Sequence, residues 1–69
     1  MNVRKLKAKL VECGISVEQI ATKMAMNKAT FYRKMQEESF TVKQAIQIAD
    51  YLDLSHNEIM AIFFEKKVA

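Results

Sequence analysis

The sequence predicts a compact all-α domain of five short helices occupying the full 69 residues. Three observations carry this reading. "SVEQ" at Ser16, "TVKQ" at Thr41 and "SHNE" at Ser55 each place a Ser or Thr hydroxyl three residues before a Glu or Gln, the spelling of a capping box. Apolar residues return every three or four positions, and no segment alternates with the period of a strand. One Gly, no Pro and 51% hydrophobic residues make a composition rich in helix formers and far from that of a disordered chain.

The elements follow in order. In "NVRKLKAKLVECG" the apolar Val3, Leu6, Leu10 and Cys13 share one face while Arg4, Lys5, Lys7 and Lys9 take the others. Asn2 is the expected N-cap, and Gly14 sits where a left-handed residue ends the helix. Cys13 is expected as a small buried residue near that end. From Ser16 a second helix runs to about Met24, burying Ile20, Ala21 and Met24. Asn27 then caps a third, "KATFYRKM", with Phe31 and Met35 inward. "QEESF" connects, and Phe40 is expected to staple against Ala45 across the cap at Thr41. The fourth helix is expected to bury Val42, Ala45, Ile46, Ala49 and Leu52, and the fifth to offer Ile59, Ile62 and Phe63. Met24, Met26, Met35 and Met60 are expected as flexible core filling.

A chain of this size buries only about 60% of the surface its unfolded form exposes, and it is expected to be one domain. Its lone cysteine forms no internal disulfide, and no Cys/His pairs have zinc-ligand spacing, so no cofactor or metal is expected and stability must come from packing. Charged residues interrupt every apolar run well short of about 18 residues, and no signal peptide is recognisable, so an intracellular, cytoplasmic protein is expected. Charge is divided unevenly. Residues 1–35 carry eight Lys/Arg against Glu12 and Glu18, giving +6, whereas residues 36–69 carry three Lys against six Asp/Glu, giving −3. A basic half points to a polyanionic partner, although a solvated set of helix faces has the same composition.

The second and third helices are separated only by "AMN", which suits two short helices meeting steeply in a helix-turn-helix. Ala21, Met24, Met26 and Phe31 occupy the small and apolar positions such a unit needs. "SVEQIATKMAMNKATFYRKM" resembles the helix-turn-helix of the phage repressor/Cro family of transcriptional regulators, and "FTVKQAIQIADYLDLSHNEI" resembles that family's fourth helix and the start of its fifth. The resemblance covers nearly the whole chain and implies the lambda-repressor-like fold. Two positions depart from it. Ala25 stands where the family often has Gly in the turn, and an Ala at positive φ is strained. Val17 stands where the family often has a phosphate-anchoring Gln, so that role is not carried onto it.

With Phe31 and Met35 inward, Lys28 and Tyr32 fall on one outward stripe of the third helix and Ala29 and Arg33 on the next. A helix fits the major groove, where Arg or Lys donates to guanine, Asn pairs with adenine and Ala meets a thymine methyl. Lys28, Ala29, Tyr32 and Arg33 are therefore the expected base readers, with Asn27 either capping the helix or contacting DNA where the helix enters the groove. Tyr32 has the alternatives of lying over its own helix or against "QEESF". Ser16, Lys23, Thr30 and Lys34 are the expected phosphate contacts. The basic face of the first helix either adds phosphate contacts or is simply solvated.

In "AIFFEKKVA", Ile62, Phe64 and Val68 exceed what a short helix buries. They either fold back on the first helix or form the self-complementary patch of a homodimer, which would read two half-sites about one DNA turn apart. The expectation is a small Cro-like phage or prophage repressor on a palindromic double-stranded DNA operator. Its rival is a protein-interaction module, binding an antirepressor or a polymerase-associated factor through the apolar tail. Nothing suggests an enzyme: there are no paired carboxylates, no nucleophile with a base and no Gly-rich phosphate loop, and His56 has no partner at ligand spacing.

Overall fold

The computed structural model describes residues 1–64, and each helix in it starts at a polar cap. Among the described residues these are α1 (Val3–Cys13), α2 (Val17–Lys23), α3 (Lys28–Gln36), α4 (Val42–Tyr51) and α5 (His56–Phe63). Asn2 and Asn27 accept from the backbone N–H three residues on, and Ser16, Thr41 and Ser55 form complete capping boxes with Gln19, Gln44 and Glu58. All five caps are those the sequence predicts. No described helix is long and apolar enough to cross a membrane.

The helix ends share one device. After α1, α2, α3 and α4 a residue takes the left-handed conformation: Gly14 (φ 68°), Ala25 (57°), Glu38 (53°) and Asp53 (52°). In each case the next residue's N–H donates back across the turn, Ile15 to Leu10, Met26 to Ala21, Ser39 to Lys34 and Leu54 to Ala49, at 2.9–3.0 Å. These are Schellman endings, which satisfy carbonyls that the helix leaves without partners. Ala25 therefore takes the left-handed conformation despite its Cβ, which is strained for an Ala.

Packing joins the helices around one core. Phe31, Leu6, Ile20, Met35 and Ile48 are fully buried, with Leu10, Ala21, Met24, Ala49, Leu52 and Ile62 around them. Phe31 and Phe40 meet with ring centroids 5.1 Å apart at 56°, a tilted geometry that aromatic quadrupoles favour. Thus Phe40 packs on the third helix's anchor as well as bordering, with Ala45, a cleft at the start of α4. The closest helix pairs are α2 with α3 and α1 with α5. Asn2 N–H donates to the Ile62 carbonyl at 2.6 Å, and Lys9 Nζ lies 2.6 Å from Glu58 Oε2, so α1 and α5 run antiparallel. The radius of gyration is 11.3 Å, against roughly 11 Å for a packed chain of this length.

Several inward assignments need correction. On α4 the buried face is Ile48, Ala49 and Leu52 with Ala45 half-buried beside them, while Val42 and Ile46 are 69% and 63% exposed. The helix is apolar on more than one stripe, and the core takes the one centred near Ala49 and Leu52. Cys13 is exposed, because Leu10 already supplies the last inward position before Gly14 turns the chain. Met60 is also exposed. Ile62 is 3% exposed inside the core, so it is no part of a dimer surface; Phe64 is exposed, and Val68 lies outside the described residues.

Candidate nucleic-acid interface

The connection between α2 and α3 decides what α3 presents. Ala25 reverses the chain in the left-handed conformation, Met26 tucks partly against the core, and Asn27 restarts the helix. Phe31 and Met35 are then drawn fully inside, which leaves Lys28, Ala29, Tyr32 and Arg33 exposed on the opposite faces of α3. The α3 residues expected to read bases are therefore brought together on one outward surface. Asn27 caps α3, its Oδ1 accepting the Thr30 N–H at 2.7 Å, and its amide Nδ2 retains two donors.

Tyr32 is 40% exposed. It lines an open cleft of about 470 Å³ bounded by the end of α1 and the start of α2, with Lys7, Val11, Ile15, Val17 and Lys28. Lys28 Nζ is 6.0 Å from the Tyr32 ring centroid, within the range of a cation–π contact. Arg33 carries the other notable contact, with its Nη1 3.5 Å from Glu37 Oε1 one turn along the helix. Both groups are more than half exposed, so this pair is a weak tether.

The expected phosphate contacts are more dispersed. Lys23 is exposed at the end of α2, with Nζ 5.8 Å from the ring of Tyr51 on α4. Ser16 is exposed, but its hydroxyl already accepts the Gln19 N–H at 3.1 Å. Thr30 and Lys34 are half-buried on α3.

The basic face of α1 splits in two. Lys7 shares the Tyr32 cleft with Lys28, a proximity across helices that helical periodicity alone did not single out. Lys9 turns the other way, to Glu58 at 2.6 Å and Glu12 at 3.6 Å. The hydrogen bond to Glu58 raises the Lys9 pKa. In return the Lys9 ammonium and then the Ser55 N–H pull the Glu58 carboxyl down to about 2. Lys9 is thus a structural cation on the α5 side, away from the face that carries Lys28.

The chemistry available on the α3 face is donation from cations and an amide, one methyl contact and one aromatic surface. No three His, Cys, Asp or Glu side chains among the described residues come together as a metal site. Compared with protein-family models, curated proteins and solved structures, the chain gives no match.

Proposed function

We propose that this chain is a sequence-specific, double-stranded-DNA-binding transcriptional regulator with a lambda-repressor-like helix-turn-helix at α2 and α3. The observation that carries the reading is the surface of α3: Phe31 and Met35 are fully buried, which leaves Lys28, Ala29, Tyr32 and Arg33 outward together. In the major groove Arg33 and Lys28 donate to guanine O6 and N7, Ala29 meets a thymine methyl, and the free Asn27 amide donates at the start of the helix. Tyr32 contacts the adjoining base or sugar. Lys23, Lys34 and Lys7 neutralise phosphates and set the register, with Ser16 and Thr30 hydroxyls beside them. The reading is of a small repressor of the phage or prophage Cro kind, working in the bacterial cytoplasm. It acts as a homodimer on a palindromic operator by occupying promoter DNA, without catalysis, cofactor or small-molecule ligand.

A second reading is favoured by the exposed Val42, Ile46 and Phe64: a protein-interaction module that binds another protein through apolar surface. Salt separates the two, because several phosphate contacts weaken steeply with added salt and an apolar interface does not.

The deciding experiment is selection from a random duplex pool by the wild-type chain and by Arg33→Ala. Enrichment of an inverted repeat with half-site centres about ten base pairs apart, relaxed at one position per half in the variant, supports dimeric readout through α3. No enrichment at low salt overturns it in favour of the protein-interaction reading.

A further inference from the structure

Exposed large hydrophobic side chains fall into two groups. Val11 and Tyr32 border the cleft beside α3, whereas Val42, Ile46, Met60 and Phe64 belong to α4 and the end of α5. In the second group Val42 and Ile46 lie one turn apart on α4, and Val42 shares a small cleft with Phe63 and Phe64. The α4 stripe is thus continuous with the end of α5.

Charge adds a direction to this patch. Lys43 and Asp50 are both exposed, three residues before and four after Ile46. Seven residues make almost two turns, so both side chains flank the same edge of the stripe, about 10.5 Å apart along the helix and too far apart to pair with each other. Opposite charges placed symmetrically about a hydrophobic centre complement a second copy related by a twofold axis.

We infer that α4 is a homodimer surface, packing antiparallel on α4 of a second copy with the twofold axis beside Ile46. Ile46 then lies against Ile46 of the second copy. Lys43 of each copy reaches Asp50 of the other, giving two ion pairs at the rim of an apolar contact completed by Val42 and Phe64. Of the expected interface residues Ile62, Phe64 and Val68, it keeps Phe64 and leaves out Ile62, which is already used inside the fold. It rests on the dimeric part of the function proposed above and is read without DNA, so its failure leaves readout through α3 standing.

The test is sedimentation equilibrium of the full chain without DNA. The wild type is expected to form a dimer, and Ile46→Glu to abolish it. Lys43→Glu and Asp50→Lys each set like charges across the axis twice and are expected to weaken the dimer by roughly tenfold. An equimolar mixture of those two variants is expected to dimerise about as well as wild type, because each Glu then faces a Lys of the other variant and each native Asp50 a native Lys43. The mixture also excludes misfolding as the cause of the single losses. A wild type that stays monomeric throughout, a dimer indifferent to Ile46→Glu, or a mixture no tighter than its components would overturn the inference.

Discussion

Arg33 and Glu37 lie 3.5 Å apart on consecutive turns of α3, so an outward cation of this helix is paired with a carboxylate of the same helix. If α3 reads DNA as proposed, binding must replace that contact. Glu37→Gln is expected to raise affinity for the selected operator roughly two- to fivefold, the range of an exposed pair. Fluorescence anisotropy at fixed salt measures it. The same substitution beside Arg33→Ala separates release of Arg33 from the general loss of a negative charge. If Glu37 acts through Arg33 the gain shrinks in that background; an undiminished gain refutes the tether.

The three non-glycine residues at positive φ make a second prediction. Ala25 and Asp53 each carry a Cβ in a conformation that costs an L-residue roughly 1–2 kcal/mol, partly offset when a Gly there loses more chain entropy. Ala25→Gly and Asp53→Gly are each expected to stabilise the fold by up to about 1 kcal/mol, read from urea midpoints. Gly14→Ala is expected to destabilise it for the same reason, even though a Cβ there meets nothing within 4 Å. A neutral or favourable Gly14→Ala would remove the argument from conformation.

How much of this was legible follows from how local each signal is. The caps at Asn2, Ser16, Asn27, Thr41 and Ser55 could be read because a cap is made by residues three apart. The outward set on α3 could be read because Phe31 and Met35 leave only one way for that helix to face. The endings at Ala25, Glu38 and Asp53 were harder, since only Gly14 advertises a left-handed residue and the other three are held there by hydrogen bonds across the turn. The face of α4 was ambiguous, because Val42, Ala45, Ile46, Ile48, Ala49 and Leu52 satisfy two overlapping stripes and only packing against the other helices selects one. The Lys9–Glu58 ion pair and the shared cleft of Lys7 and Lys28 bring together helices remote in sequence, and no spacing rule announces them.

The α4 stripe supplies the sharpest stability contrast. Ile48→Ala empties a fully buried position and is expected to cost about 2–5 kcal/mol, a large share of what so small a domain holds. Ile46→Ala, two residues away and 63% exposed, is expected to stay within about 0.5 kcal/mol when unfolding is followed at a dilution where the proposed dimer would not form. Equal losses at the two positions would mean that α4 is rotated from the orientation described.

The Lys9–Glu58 clasp between α1 and α5 predicts a pH dependence whose sign is set by the direction of both shifts. Glu58 falls from its ordinary 4.5 to about 2 in the fold, so its contribution is fully present above pH 4.5 and is lost as pH drops toward 2. Lys9 shifts upward, so its contribution is complete below its ordinary value of 10.5 and is lost as pH rises through the higher folded value. Glu58→Gln isolates the acid limb, because Gln still completes a capping box, as Gln19 and Gln44 do at Ser16 and Thr41, while removing the charge. Urea midpoints of wild type and variant are expected to diverge at neutral pH and to converge between pH 4.5 and 2, where wild type loses its advantage. A constant gap across that window would show that the ion pair does not join the two helices energetically, and that the backbone bond from Asn2 to Ile62 and the buried Leu6, Leu10 and Ile62 hold α5 in place without it.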